Sequence, residues 1–284
     1  MEIAIPAQLA TTCRHKPERE EWLAGLPNAI DDLRKRWVLD LGSPFEEATC
    51  AWVAPVQQNG RSAVLKVGMP HMEAAHEVQG LQFWNGDPTV KVLDADQPRN
   101  AMLLEACEPG TSLRSLPEED QDSIVAGLLR RCWRRPTGPH PFRPLSTQLT
   151  GWAENTETQS SQWRDAGLVR EGLRLFEELS APSRDDVLLA TDLHAGNVLR
   201  AQREPWLVID PKPFVGDPAY DVTQHLLNCE GRLLNDSSTV IGHLSDLLCL
   251  DSRRIKLWLF ARLAAEPRDV WDEGSLILAK RLLR

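Results

Sequence analysis

Hydrophobic and polar positions follow two different periods along this chain, and the change of period divides it near residue 107. Before that point, short apolar runs of strand length are separated by turn residues. An amphipathic helix precedes them at Pro17–Trp37, where Pro27 should produce a break. The predicted strands are Val38–Phe45, Thr49–Val56, Ser62–Gly68, Thr89–Leu93 and Ala101–Ala106, with a helix at His71–Trp84 after the third.

Beyond Pro117, apolar residues recur at spacings of three and four, which predicts a mainly helical part. Between its helices, 135–151 is rich in Pro, Thr and Gly and predicts an ordered surface loop, and Asn155–Ser161 is a polar segment. We therefore predict an α+β fold with an N-terminal domain at 1–107 and a C-terminal domain at 108–284. The predicted helices are Glu118–Trp133, Trp163–Ser180, Asp221–Leu234, Val240–Leu248 and Arg253–Glu266.

Two apolar runs in the second half predict a β-hairpin that carries three oxygen-bearing side chains. The run ending at Ala190 leads to Asp192, Asn197 follows five residues later, and a second run at 206–209 leads to Asp210. Asp192 could accept a proton, and Asn197 with Asp210 could hold a hard cation such as Mg²⁺. The alternative is a surface hairpin whose Asp and Asn residues only shape turns.

Lys66 lies within the apolar third strand, where an ammonium group needs an anion beside it. It could instead face solvent on an edge strand. The helix that follows offers Glu73 and Glu77, and Glu77 shares a side of that helix with Leu81 and Trp84. We therefore expect Glu77 to be the partner.

Charge and cysteine content exclude several classes of protein. The net charge of -9 over 284 residues argues against nucleic-acid and anionic-membrane binding, and no apolar run is long enough to span a bilayer. Six scattered cysteines show neither zinc spacing nor a disulfide pattern. With no apparent signal peptide, these features indicate reduced thiols in a cytoplasmic protein.

Three separated motifs, in order, resemble the aminoglycoside/hydroxyurea antibiotic resistance kinase family. They are Leu65-Lys66-Val67-Gly68 with Glu77, the DLHAGN sequence at Asp192–Asn197, and IDPKPFVGDPAYDV at Ile209–Val222. The resemblance implies a bilobal protein-kinase-like fold with a five-stranded antiparallel N-lobe and a helical C-lobe. It also implies an ATP- and Mg²⁺-dependent kinase that phosphorylates a hydroxyl group of a small molecule.

The resemblance also implies a role for each matching residue. Asp192 would be the catalytic base, and Asn197 and Asp210 would bind Mg²⁺. Lys66, held by Glu77, would bind the ATP phosphates, and the segment containing Ser43 would close over them. Glu105 and Cys107 would form the hinge that pairs with adenine, and Asp221 would hold the catalytic loop.

The helix after Tyr220 and the loop before it offer polar side chains to an acceptor. By family, a streptomycin-like aminoglycoside comes first and a glucosamine-like aminosugar second, with no obligate protein partner evident. Carboxylate, amide and imidazole groups suit hydroxyl and ammonium groups of such molecules. The predicted acceptor-binding residues are Asp217, Gln224, His225, Asn228 and Arg232.

The chain departs from the pattern at Ala190-Thr191, where these small-molecule kinases usually carry His-Gly. This departure motivates the alternative of a nucleotide-binding pseudokinase that acts as an interaction or regulatory module. His194 stands two residues after the base, where protein serine/threonine kinases place a lysine. It could assist the transferring phosphate, or it could be a plain loop histidine.

Overall fold

The computed structural model describes residues 3–72, 75–268 and 272–283. The chain forms two compact units. The first comprises Met1–Thr111 with Leu199–Ile209, and the second comprises Ser112–Val198 with Asp210–Arg284. The hairpin segment 199–209 thus belongs to the first unit and not, as predicted, to the C-terminal domain.

The first unit contains a five-stranded antiparallel sheet in the order β1-β2-β3-β5-β4. Its helices are α1 (Ala7–Cys13), α2 (Pro17–Arg36) and α3 (Glu77–Trp84). Its strands are β1 (Leu39–Leu41), β2 (Ala51–Gln58), β3 (Arg61–Gly68), β4 (Val92–Asp96) and β5 (Ala101–Glu105).

Alternation along β3 places its side chains on two faces of this sheet. Leu65 and Val67 join a buried cluster with Ile30 and Leu33 of α2. Val64 lies on the opposite face, in the cluster that includes Leu81 of α3. Lys66 is two residues from Val64 on the strand, so its side chain lies on the same face of the sheet, toward α3.

Several predicted boundaries in this unit differ from the structure. Helix α2 continues through Pro27 without the predicted break, because burial of Leu26 and Ile30 outweighs one lost helical hydrogen bond. Helix α3 begins at Glu77 rather than His71, and Glu73 lies outside the described residues. Strand β4 starts later than predicted, since the Val90 N–H donates to Val208 O instead.

The described residues of the second unit form seven helices and two short paired strands. The helices are α4 (Glu118–Cys132), α5 (Leu145–Thr158), α6 (Ala166–Leu179), α7 (Pro218–Leu227), α8 (Glu230–Leu248), α9 (Ser252–Ala265) and α10 (Glu273–Leu282). Strands β6 (Val187–Leu189) and β9 (Phe214–Gly216) pair antiparallel. None of the described helices is long and apolar enough to cross a membrane.

Two predictions for this unit were wrong. Helix α5 occupies part of the predicted loop and polar segment, because Leu145, Leu149 and Thr156 are buried despite their polar neighbours. The predicted helix Asp221–Leu234 is two helices, with α7 ending at Leu227 and α8 starting at Glu230.

The predicted hairpin around Asp192 is also divided differently. Strand β7 (Val198–Arg200) pairs with β8 (Trp206–Val208), so the hairpin begins after Asn197. Asp192 lies earlier, in the connection from β6 to β7, and Asp210 follows β8. The loop that carries Asp192 therefore follows β6 in one sheet and leads into β7 of another.

Close packing of α6 on α9 predicts a strong effect of adding one methyl group. A Cβ at Gly172 would lie 2.9 Å from the Cβ atoms of Ala264 and Ala265. We expect Gly172→Ala to destabilise the protein by about 1–3 kcal/mol, because the helices must separate. Gly127→Ala in α4, where a Cβ meets nothing within 4 Å, should instead stabilise it by up to about 1 kcal/mol. Thermal melting of both variants checks this, and equal shifts would contradict it.

Candidate active site

Lys66 and Glu77 form a buried ion pair in the first unit. The Lys66 Nζ lies 2.6 Å from Glu77 Oε1 and 2.7 Å from Oε2, and the two residues are 7% and 1% exposed. Glu77 stands in the first turn of α3, where the helix dipole favours a carboxylate. This contact confirms the predicted pairing. The charges are desolvated, so each depends on the other for compensation.

The segment containing Ser43 is fixed to β2 through its backbone. The Gly42 N–H donates to Pro55 O at 2.8 Å, and the Phe45 N–H donates to Val53 O at 2.8 Å. A Cβ on Gly42 would lie 2.9 Å from the Pro55 ring, so this close approach requires glycine. Ser43 itself is exposed.

Glu105 and Cys107 lie at and just after the end of β5. Although burial raises the pKa of Glu105, hydrogen bonds from Arg203 and the Lys91 N–H outweigh this effect and lower it. Burial and the nearby Glu105 carboxylate raise the pKa of the Cys107 thiol to about 11. Cys107 packs with Leu104 and Leu207 in an apolar cluster.

Asp221 organises the loop of the second unit that carries Asp192. Its buried carboxylate accepts from the Ala190 N–H at 3.0 Å and the Thr191 N–H at 2.6 Å, as expected from the resemblance. Trp133 Nε1 donates to the same carboxylate at 3.0 Å. These bonds fix the backbone just before Asp192.

Two residues, one in the loop and one just after β8, have a left-handed backbone, for which glycine would be the easiest choice. Thr191 has φ +50°, and Asp210 has φ +53°. A β-branched residue in this region is strained and persists only when its surroundings hold it. The Thr191 hydroxyl donates to Lys212 O at 2.5 Å, in addition to the bond from its N–H to Asp221. Thr191 thus stands at a position whose backbone suits the glycine of the usual His-Gly pair.

Both oxygens of the Asp192 carboxylate have polar neighbours. Gln224 Nε2 donates to Oδ1 at 2.7 Å, and Lys212 Nζ lies 2.9 Å from Oδ2. The side chain keeps 16% of its surface exposed, which leaves a route for a reacting hydroxyl group. The arrangement gives an accessible and oriented carboxylate.

His194 has a capping role in this loop. Its Nδ1 accepts from the Gly196 N–H at 3.0 Å, while its Nε2 is 3.9 Å from Asp192 Oδ1. Burial lowers the pKa of His194 and outweighs the opposing effect of the Asp192 carboxylate. The imidazole is therefore mainly neutral at pH 7, and these contacts favour the loop role over the phosphate-assisting one.

Asn197 and Asp210 fit the chemistry of a Mg²⁺ site. The Asn197 Nδ2 donates to Asp192 O at 3.0 Å. This hydrogen bond fixes the orientation of the side-chain amide and so distinguishes its nitrogen from its oxygen. The Asn197 Oδ1 and the Asp210 carboxylate are hard oxygen ligands. Mg²⁺ commonly takes only one or two protein groups together with waters and substrate phosphates. Within residues 3–72, 75–268 and 272–283 there is no cluster of three or more His, Cys, Asp or Glu ligands.

Two of the predicted acceptor-binding residues lie beside Asp192 or near it. Gln224 contacts Asp192 directly, and Asn228 is exposed at the end of α7. Asn228 Oδ1 accepts from Arg114 Nη2 at 3.0 Å. Arg114 Nη2 is also 3.4 Å from His194 Nδ1, so this guanidinium lies against the loop that carries Asp192.

The other three predicted acceptor-binding residues make internal contacts, and this arrangement favours structural roles. Asp217 caps α7 through the Ala219 N–H and accepts from Trp258 Nε1 at 2.6 Å and from Arg254 Nε. His225 is 1% exposed, with its Nε2 2.9 Å from Asp122 Oδ1.

Arg232 forms a two-pronged ion pair with the same buried carboxylate. Its Nη1 and Nη2 donate to Asp122 Oδ1 and Oδ2 at 3.0 and 2.7 Å. Burial raises the pKa of Asp122, but hydrogen bonds from His225 and Arg232 outweigh it and lower the value. The carboxylate thus links α4, α7 and α8.

Sequence reasoning missed Lys212 and Arg114. Lys212 stands within the IDPK sequence, two residues after Asp210, and that position was the available signal. Arg114 follows Leu113 in a short 3₁₀ turn far from the loop in sequence, and no local pattern marks it.

Comparison with known proteins identifies the family of this chain. The sequence profile of the aminoglycoside/hydroxyurea antibiotic resistance kinase family matches residues 36–272. The chain is similar to the hydroxyurea phosphotransferase of Kitasatospora aureofaciens, with 32% identity over 92% of this chain and 78% of that protein. It is 31% identical to the streptomycin 6-kinase of Streptomyces glaucescens, over 97% of this chain and 94% of that one. The streptomycin 6-kinase of Streptomyces griseus is 34% identical, over 90% and 85%.

Solved structures show the same fold at low identity. The choline kinase LicA from Streptococcus pneumoniae superposes with a TM-score of 0.62 at 13% identity, covering 90% of this chain and 98% of that one. A thermostable aminoglycoside phosphotransferase APH(4)-Ia, in complex with ADP and hygromycin B, gives 0.58 at 15% identity, covering 89% and 95%. These matches confirm the protein-kinase-like fold.

The buried Asp221 predicts a pH dependence of stability. Burial raises its pKa to about 6, against an unfolded value of about 3.9. A raised pKa gives a stabilising contribution that is full below the unfolded value and is lost as pH rises through about 6. We therefore expect the wild-type protein to gain roughly 2 kcal/mol relative to Asp221→Asn on going from about pH 7.5 to about pH 4.5. Urea unfolding at each pH measures this.

Asp236→Asn is the matched control. Hydrogen bonds from Thr239 lower the pKa of Asp236. The wild type should therefore not gain stability relative to Asp236→Asn when the pH is lowered. A difference between wild type and Asp221→Asn that stays constant with pH would contradict the raised pKa.

Proposed function

Since this chain belongs to the aminoglycoside/hydroxyurea antibiotic resistance kinase family, we propose that it is an ATP-dependent kinase that phosphorylates a hydroxyl group of an aminosugar or aminocyclitol. Such an enzyme transfers a phosphoryl group to an alcohol. The observation that carries the assignment is the accessible Asp192 carboxylate, oriented by Gln224 and Lys212 in a loop fixed by Asp221.

In this proposal, Asp192 accepts the proton of the acceptor hydroxyl. The acceptor oxygen then forms a bond to the γ-phosphorus of ATP, and the bond from that phosphorus to the bridging oxygen breaks, which releases ADP. Phosphoryl transfer depends on positioning and charge stabilisation more than on covalent chemistry of the protein. The hydrogen bonds that fix the loop before Asp192 supply that positioning.

Residues of the first unit are proposed to bind the nucleotide. Lys66 would contact the α- and β-phosphates while Glu77 holds its ammonium group, and the Ser43 segment would cover the phosphates. The backbone of Glu105 and Cys107 would pair with adenine. The apolar cluster beside Cys107 suits the faces of a planar base.

Residues of the second unit would hold the metal ion. Asn197 Oδ1 and the Asp210 carboxylate would be its protein ligands. Mg²⁺ bound there would neutralise charge on the phosphate oxygens of ATP.

The polar groups near Asp192 would contact the acceptor. Gln224 and Asn228, with Arg114 beside them, offer amide and guanidinium groups to hydroxyl oxygens. Asp217, His225 and Arg232 would support that surface through their buried contacts. A streptomycin-like aminoglycoside is the first candidate acceptor, and a glucosamine-like aminosugar is the second.

A coupled ADP-release assay tests the proposal directly. The acceptor panel should contain streptomycin, glucosamine, hygromycin B and hydroxyurea, with ATP alone as the background. We expect acceptor-dependent ADP release with at least one aminosugar or aminocyclitol. ATP binding without any acceptor-dependent turnover would instead support the pseudokinase alternative.

Replacing the proposed base gives the test of mechanism. We expect Asp192→Asn to lower kcat by roughly 10²–10⁴-fold, because an amide cannot accept the hydroxyl proton. The KM for ATP should change little. Steady-state kinetics on the purified variant measure both, and Asp185→Asn on the exposed loop before β6 is the control. Near-wild-type turnover would remove Asp192 from the role of base.

Replacing the proposed phosphate ligand should affect mainly nucleotide use. We expect Lys66→Met to raise the KM for ATP and to lower kcat/KM by roughly 10²–10³-fold, because a fixed positive charge is lost. Lys35→Met is the matched control, since Lys35 pairs with Asp31 at 2.6 Å in the same unit but is largely exposed. An unchanged dependence on ATP concentration in a folded Lys66→Met variant would remove Lys66 from the nucleotide site.

A further inference from the structure

We propose that Lys212 is a positioning residue for phosphoryl transfer, that it fixes the Asp192 carboxylate together with Gln224, and that Thr191 holds Lys212 in place. This inference rests on the proposed function, because it assigns a task to Lys212 at the same base. The juxtaposition that carries it is a triangle of contacts among Thr191, Asp192 and Lys212.

The first observation is that each oxygen of the Asp192 carboxylate is bound by a different side chain. Lys212 contacts Oδ2 at 2.9 Å, and Gln224 donates to Oδ1 at 2.7 Å. A carboxylate with one donor on each oxygen cannot rotate about its last bond without breaking both contacts. The lone pairs not used by these donors therefore keep one direction, which is what a base must do before the hydroxyl group arrives.

The second observation is that Lys212 is held both at its backbone and at its ammonium group. Its N–H donates to Ala190 O at 2.8 Å, and its C=O accepts from the Thr191 hydroxyl at 2.5 Å. Its ammonium group then reaches Asp192, so three successive loop residues each contact Lys212. An exposed ion pair between two freely moving side chains would have no such support.

The third observation concerns Thr191 itself. Its left-handed backbone is unfavourable for a β-branched residue, yet its N–H and its hydroxyl are both bonded. Glycine would adopt this backbone without strain but would lack the hydroxyl that binds Lys212 O. The departure from His-Gly therefore coincides with a contact that only a hydroxyl-bearing side chain can make.

The consequence is a fixed positive charge beside the base. The hydroxyl group that Asp192 deprotonates must also meet the phosphoryl group, so an ammonium 2.9 Å from Oδ2 lies near the developing negative charge. His194 lies two residues after the base, but it is half-buried and its Nδ1 is already engaged by the Gly196 N–H. Lys212 thus provides the cation at the base from a position 20 residues later in the chain.

The kinetic experiment compares two lysines that each pair with an aspartate in the second unit. Lys212→Met should lower kcat by about 10–10²-fold, with the KM values for ATP and acceptor within about threefold of wild type and an unchanged melting temperature. Lys212→Arg should recover part of kcat, because the charge is kept. Lys280→Met, which removes the 3.2 Å pair with Asp165, should leave all of these values unchanged.

A double-mutant cycle tests the part assigned to Thr191. Thr191→Val removes the hydroxyl and should lower kcat by about threefold to tenfold, whereas Thr191→Ser should keep most of it. When Lys212→Met is already present, Thr191→Val should add little. Purely multiplicative effects, or a Lys212→Met variant with wild-type kcat, would overturn the inference.

A second measurement does not depend on turnover. Reductive methylation of the folded protein with formaldehyde, resolved by mass spectrometry, should modify Lys212 more slowly than Lys280. Both Asp192→Asn and Thr191→Val should accelerate modification of Lys212. Equal methylation rates at the two lysines in the wild type, unaffected by either substitution, would overturn the inference even if the kinase activity is established. A protein that lacks turnover but still shows slow methylation of Lys212 would contradict the proposed function instead.

Discussion

The buried carboxylate of Asp221 is the constraint on which the second unit depends. It accepts two backbone N–H groups just before Asp192 and the indole N–H of Trp133, so one side chain joins α7, the loop that carries Asp192 and the residue that follows α4. Its desolvation is unfavourable, as the raised pKa shows, and three hydrogen bonds offset part of that penalty. A buried charge with several partners specifies one loop geometry, because any other loop geometry would leave the N–H donors and the carboxylate without hydrogen bonds.

The first unit relies on a second buried charge, and strand geometry explains how it is tolerated. Alternation along β3 sends Leu65 and Val67 into one core and directs Lys66 toward the face of α3. Glu77 enters at the start of that helix, where its carboxylate is favoured, and meets the ammonium with both oxygens. The pair is thus a consequence of period-two and helical patterns that bring opposite charges to the same face.

Much of this architecture could be predicted from local patterns, and the errors have physical causes. The five strands of the first sheet, the helix after β3 and the Lys66–Glu77 contact followed from periodicity and parity. Helix α5 was missed because its buried positions include Gln148 and Thr156, so burial there is not accompanied by apolar composition. The break between α7 and α8 was missed because apolar spacing continues across Asn228 although the backbone turns.

The order of the chemical groups could be read from local patterns: a lysine in a strand, a glutamate on the next helix, and Asp192, Asn197 and Asp210 around short apolar runs. Which of these groups meet depends on how the elements pack. Packing paired Lys212 with Asp192, and it directed Asp217 to Trp258 and Arg232 to Asp122. The reason is that periodicity records which face of an element a side chain occupies, whereas a partner 41 or 110 residues away is chosen by packing between elements. The roles of polar residues on α7 therefore depended on neighbours that no local pattern could identify.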